Sequence, residues 1–220
     1  MGLSELITAY GDKYLKAIVE TYSMTAICFC IAMVISILVT VMRVSPIKPL
    51  RIVGDLYVQI FRNIPGVALL IIVAYALPYL KVTLPWKTCV MVAVTLLASA
   101  FGSENFMTGI NAIGVGQIEA ARSIGLTFRQ TMSKIVIPQA LRSAILPMTN
   151  LLIATMLTTA LGSQVPLNPQ ELTGLVSYIT TRETAIGVLP FMVSAVIYAG
   201  TSVLIGILGN RIDQKVRIHR

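Results

Sequence analysis

Five long apolar runs separated by short polar segments organise this chain, at residues 22–42, 64–80, 88–112, 143–165 and 186–209. A helix needs about 20 predominantly apolar residues to cross the hydrocarbon of a bilayer, so each run is read as a membrane span. The second is the shortest, with Pro65 at its start and Pro78 near its end. It crosses only if it is buried against its neighbours. Between the first two runs, Ile52, Leu56 and Ile60 recur at helical spacing opposite Asp55 and Gln59. That pattern predicts an amphipathic helix lying in the interface and ending near Arg62. The long connection 163–184 holds a second amphipathic stretch, Leu172 to Ile179. This is more structure than a connector needs, and it suggests a contact surface or gate.

The most polar internal stretch lies between the third and fourth spans, at about 114–142. Glu119 and Arg122 surround the small pair Ala120–Ala121, and Gly125 supplies a backbone able to turn sharply. The pattern predicts a two-helix elbow. A first helix of about two turns ends at Gly125, and a second runs from Thr127 to Ile135 and stops near Pro138, where the chain re-enters the membrane. Such an elbow fits a groove on a partner; it does not perform chemistry.

Composition supports the membrane reading. The chain has 220 residues, of which 56% are hydrophobic and only 12% charged, against about a quarter charged in soluble domains. Its mean hydropathy is +0.83. We read one domain over 1–220, all-α and polytopic, with five transmembrane helices and no internal repeat. The net charge of +8 is patterned rather than diffuse. Arg43, Lys48, Arg51 and Arg62 follow the first span; Arg122, Arg129, Lys134 and Arg142 follow the third; Arg211, Lys215, Arg217 and Arg220 follow the fifth. Cationic loops stay on the cytoplasmic side, which places the N-terminus outside and the C-terminus inside. The basic face suits anionic lipid headgroups and not nucleic acid. Residues 1–20 mix Glu5, Asp12 and Glu20 with lysines and lack the apolar core of a signal peptide. They read as a short amphipathic segment lying on the outer face.

Chemistry-bearing residues are few. Cys28, Cys30 and Cys89 have no metal spacing and are expected to be buried small apolar residues, and the lone histidine, His219, is in the terminal tail. No catalytic constellation can be assembled, so no enzyme is expected. Glu104 lies within the third span near its cytoplasmic end, where it either pairs with Arg142 or belongs to a polar pathway. Thr155, Thr158 and Thr159, with Gln164, form the most polar part of the fourth span. They either line a path or bond back to their own helix. Asn150 and the glycines Gly200, Gly206 and Gly209, with Tyr198, read as helix-packing groups.

The elbow also carries a motif. Glu119-Ala120-Ala121, Gly125 and Ile135-x-Ile137-Pro138 resemble the EAA loop of ABC importer permeases, with Ile137 a conservative departure. GQIEAARSIGL (116–126), IPQALRSAILPMTN (137–150), YVQIFRNIP (57–65) and RVSP (43–46) are similar to the polar-amino-acid permeases, the glutamate type above all. The resemblance implies a type I ABC importer permease fold in a bacterial inner membrane. It further implies an ATPase dimer, a second permease subunit, an external substrate-binding protein and a polar amino acid such as glutamate, glutamine or aspartate. Glu119, Ala120, Ala121, Arg122, Gly125, Ile135 and Pro138 would be the ATPase-coupling residues. Glu104, Thr155, Thr158, Thr159 and Gln164 would be candidates for the substrate path. The chain lacks a G-x-x-x-x-G-K-[ST] loop, so ATP and Mg would be bound by the ATPase, with no cofactor here. Two positions depart from the family pattern: Met107 stands where an Arg is usual, and Leu157 where a Lys is common. Their loss favours pairing with a different permease that carries substrate contacts, with a homodimer of different ligand chemistry the alternative. Two rivals stay open: an ion-coupled secondary carrier, which would need ionisable groups deep in the membrane, and a non-transporting assembly subunit.

Overall fold

The computed structural model describes residues 2–216, and His219, Arg217 and Arg220 lie outside them. Helix α1 (Leu3–Arg43) leads into α2 (Lys48–Asn63), which turns by 102° into a short helical segment, α3, spanning Gly66–Leu80. Then follow α4 (Trp86–Asn111), α5 (Val115–Ser123), α6 (Phe128–Thr131), α7 (Ile137–Ser143) and α8 (Ile145–Thr158), the last prolonged by a tighter turn to Gln164. α9 (Leu172–Arg182) and α10 (Leu189–Val216) complete the fold. Four helices are long and apolar enough to span a membrane alone, and the pair α2–α3, bent by 102°, passes the same length and hydropathy test only when taken together.

α4 is the axis. It is the most enclosed of the spanning helices, and α1, α2, α3, α7 and α8 all pack on it. The α1–α4 contact is close because Gly102 lacks a side chain: a Cβ there would collide with Ser36 Oγ. Small and hydroxylated residues allow such approach in a membrane, where no hydrophobic gain distinguishes protein from lipid. Ser36 Oγ donates to the carbonyls of Ala32 (2.6 Å) and Ser99 (3.0 Å), and Thr40 Oγ1 donates to Ser103 Oγ at 3.1 Å. Tyr57 on α2 joins this seam at Ser99 Oγ, 2.6 Å away.

Prolines are accommodated in one way twice. Just before Pro78, the Leu77 N–H reaches back five residues to Ile72 O; just before Pro138, the Ile137 N–H reaches Met132 O. A π turn in each place shifts the hydrogen-bond register ahead of a residue that cannot donate. This overturns the expected stop of the second elbow helix. The backbone continues helically from Phe128 to Ser143, with Pro138 inside it.

Two further expectations are corrected. Residues 3–20 are not a separate surface segment but the first half of α1. Leu6, Tyr10, Tyr14 and Ala17 form a buried stripe that packs with Leu172, Leu175 and Ile179 of α9, so the helix never needs to break. Cys28 and Cys89 are buried as expected, but Cys30 is exposed. Gly209 packs tightly on Thr149, whereas Gly200 and Gly206 face open space. The interfacial helix matches its pattern: Ile52, Leu56 and Ile60 are exposed, while Gly54 and Val58 face inward.

Gly102→Val forces α1 away from α4. We expect a loss of about 1–3 kcal/mol, seen as a lower Tm of the purified protein in detergent, with Gly102→Ala intermediate.

Candidate functional site

The chain presents an exposed elbow and a large open cavity. The elbow is built locally. α5 ends because Gly125 adopts φ +80°, a conformation that costs a residue with a Cβ about 1–2 kcal/mol. Its N–H donates to Arg122 O at 2.9 Å, and the Leu126 N–H donates to Ala121 O at 3.0 Å. Thr127 then caps α6, accepting from the Gln130 N–H at 3.3 Å while Gln130 Oε1 accepts from the Thr127 N–H at 2.9 Å. Gln139 Nε2 donates to Gln117 Oε1 at 2.7 Å, tying α7 back to α5. Ile113, Val136 and Ala140 form the elbow's own small core, with Ile110, Ile118 and Met132 around it.

What this rigid corner exposes is mixed. Glu119, Ala120, Arg122 and Pro138 are exposed, Ile135 is half-buried, and Ala121 is buried. The expected small pair therefore splits: Ala120 faces out and Ala121 faces the elbow's interior. Val115 (69%), Ile124 (76%) and Phe128 (51%) are largely uncovered among the charges. Large apolar groups exposed together and rimmed by polar residues mark a docking surface.

The cavity, of about 1040 Å³, lies between the start of α3, the middle of α4 and one face of α8. Its wall follows α8 from Pro147 to Gln164, about 25 Å at a helical rise, close to the thickness of a hydrocarbon core. Of the expected path residues, Thr155, Thr158 and Gln164 line it; Thr159 is fully buried behind the wall. The threonine hydroxyls all bond back to their own helix: Thr155 to Leu151 O (2.7 Å), Thr158 to Ala154 O (2.7 Å) and Thr159 to Met156 O (2.6 Å). Each has spent its proton, so Thr158 offers the cavity oxygen lone pairs only.

Glu104 does not pair with Arg142. α1 and α4 run parallel, with Glu20 against Lys87, Ser36 against Ser99 and Thr40 against Ser103, so Arg43 at the end of α1 meets Glu104 in the last turns of α4. Arg43 Nη2 lies 2.9 Å from Glu104 Oε1 and Arg43 Nε 2.8 Å from Asp55 Oδ1, while Arg62 Nη1 lies 3.6 Å from the same Glu104 oxygen. Arg62, not Glu104, reaches the cavity wall, beside Asn105 and Asn150. Asn150, expected as a packing group, is instead exposed there.

The family model described as "Binding-protein-dependent transport system inner membrane component" matches residues 32–218. The chain belongs to this family. It is thus a multi-pass membrane component of a transport system, with the type I ABC importer permease fold. Among relatives of this transport component, the probable glutamine ABC transporter permease GlnM of Bacillus subtilis is 34% identical over 63% of this chain and 64% of its own length. The L-cystine permease TcyB of the same organism is 32% identical over 66% of this chain and 62% of its own. These matches span just under two-thirds of either relative. The glutamate permease GluC of Corynebacterium glutamicum is 32% identical over 77% of this chain and 80% of its own length. The crystal structure of an amino acid ABC transporter with histidines superposes with TM-score 0.88 at 24% identity, covering 95% of this chain and 96% of that one. At that identity the likeness speaks to the fold.

At the end of the permease cavity away from the elbow, Thr173 of α9 closes the wall. Glu171 caps α9 there, accepting from the N–H groups of Thr173 (2.6 Å) and Gly174 (2.5 Å) and from Tyr198 Oη (3.3 Å), and it is fully buried. Burial pushes its carboxyl above the ordinary 4.5, against the opposing pull of those same donors. The folded protein therefore holds this proton more tightly than the unfolded chain. The resulting stabilisation is complete below the ordinary carboxylate pKa and is lost as pH rises through the raised folded value. We expect thermal stability in detergent to fall across that window, and Glu171→Gln to flatten the fall.

Proposed function

We propose that the chain is the permease subunit of an ATP-driven, binding-protein-dependent importer of polar amino acids, with glutamate, glutamine or aspartate as first candidates. The observation that carries this reading is the mechanical continuity between elbow and cavity. α7 packs on α4 and leads directly into α8, and α4 and α8 are two walls of the cavity. A force applied at Ala120, Ile124 and Phe128 moves the walls together, because the elbow has its own core and cross-ties and does not flex on its own.

In the working assembly an ATPase dimer receives the two elbows of a permease pair. ATP and Mg are bound by the ATPase chains. Glu119 and Arg122 set the register in the ATPase groove, Ala120 permits close approach, Gly125 fixes the corner, and Ile135 and Pro138 carry the motion into α7. Closure of the ATPase dimer turns the helices and opens the cavity alternately to either side. Nucleotide and substrate bias that equilibrium only through different affinities for the two states. The basic elbow face is cytoplasmic and the N-terminus lies outside, in a bacterial inner membrane, so α9 and the first half of α1 meet the substrate-binding protein. The neutral Met107 and Leu157 favour a heteromeric pair in which a second permease adds the remaining substrate contacts. Relatives named as glutamine, glutamate and L-cystine permeases support the amino-acid class.

In proteoliposomes holding the full assembly, Glu119→Lys is expected to lower ATP-driven uptake at least about tenfold with membrane insertion intact. Uptake at the wild-type rate removes the coupling role. For orientation, cysteines placed at Ser4 and at Lys215 should react with impermeant reagents from opposite sides of the membrane; labelling from one side rejects the proposed arrangement.

A further inference from the structure

Arg62 stands out because the ion-pair cluster around it engages it only through one long contact. Arg43, only 11% exposed, sits between Asp55 and Glu104 and satisfies a carboxylate oxygen of each at 2.8 and 2.9 Å. Arg62 is left with the already engaged Glu104 oxygen at 3.6 Å, beyond hydrogen-bond range. Its side chain stays 42% exposed and forms part of the cavity wall. Among the described lining residues it is the sole charged one. A guanidinium carries five donors in a planar fork that matches a carboxylate.

The remainder of the wall complements that fork. Thr158 has donated its proton to α8 and presents an oxygen acceptor, which suits an ammonium group and not an anion, while Thr155 is buried at the wall. The wall holds no Asp or Glu, so it offers no partner to a cationic side chain. One end of the cavity thus offers a cation with spare donors, and its middle offers an acceptor. The cation at that end, on a wall without carboxylates, suits the carboxylate of an amino acid.

We propose that Arg62 is the carboxylate-binding residue of a substrate subsite in this cavity, holding the α-carboxylate of the amino acid in a two-point hydrogen-bonded pair. Glu104 is its positioning residue: the long contact restrains the guanidinium without consuming its donors, so the side chain exchanges Glu104 for substrate with little loss. The proposal rests on the cavity being the substrate path.

The test uses the purified permease–ATPase assembly without binding protein, so that only the membrane subunits select. Equilibrium binding is measured at millimolar concentration for L-glutamine, L-glutamate and L-cystine, and for the α-carboxamide of each, which keeps shape and loses the charge. The wild type should prefer at least one carboxylate over its carboxamide by about tenfold or more. Arg62→Gln should reduce that preference to less than about twofold, and Arg62→Lys should restore part of it, with assembly followed by size-exclusion chromatography. A wild type without the preference, or an Arg62→Gln variant that keeps it, overturns the proposal. A variant that keeps it while its activity becomes independent of anionic lipid assigns Arg62 to a headgroup instead and also overturns it. Thr158→Trp, which narrows the cavity midway along α8, separates this failure from that of the path itself. If Thr158→Trp blocks uptake while Arg62→Gln keeps the preference, only the carboxylate role falls. If Thr158→Trp leaves binding and uptake unchanged, the path reading falls and takes the carboxylate role with it.

Discussion

The absence of a side chain at Gly102 lets Ser36 of one spanning helix sit directly against the backbone of another, and the remaining architecture follows from that contact. In lipid, apolar surface alone does not hold helices together, so close packing and internal hydrogen bonds must. Ser36, Thr40, Ser99 and Ser103 supply those bonds along α1 and α4. The seam sets the axial register of the two helices. That register in turn brings Arg43 to Glu104, which fixes where α2 can lie through Asp55. The bend after α2 then brings the start of α3 to the cavity beside Arg62. A chain of local geometric constraints thus runs from one glycine to the rim of the proposed path.

The elbow and the cavity look unrelated in sequence but share the same two walls. α7 leads into α8 with only Ala144 between them, and α4 lies against both. The elbow is stiff for reasons independent of the membrane: a threonine cap, a small apolar core and a Gln139–Gln117 tie. Stiffness at the receiving end is what turns a push on a surface into displacement of a helix. A soft loop would absorb it.

Much of the architecture was legible in the chain. Spans declare themselves by length and hydropathy, the interfacial helix by its Ile52–Leu56–Ile60 stripe, and the elbow by Gly125 between two polar-edged helical patterns. Three features were not. The first half of α1 looked too charged to belong to a span, because the partner for Leu6, Tyr10 and Tyr14 is α9, far along the chain. Glu104 has several arginines within plausible reach; only the parallel α1–α4 register and the placement of α2 select Arg43 and Arg62 over Arg142. Of the polar residues in the fourth span, composition could not tell wall from interior: Thr158 faces the cavity while Thr159, the next residue, is sealed behind it. Local pattern carries what a residue prefers, whereas long-range packing decides what it meets.

α1 has 41 residues, a rod about 60 Å long where the hydrocarbon is about 30 Å thick. Even well tilted, it overshoots the oily layer by many residues at the end opposite the elbow. That overhang is not loose: Lys13 Nζ donates to Tyr178 Oη at 2.9 Å and Tyr14 Oη to Pro190 O at 3.3 Å, bracing it to α9 and α10. The molecule therefore builds a small wet platform of its own beyond the lipid, a firm landing stage in which any tilt of the long rod inside the bilayer is reproduced, enlarged, at the water-exposed tip.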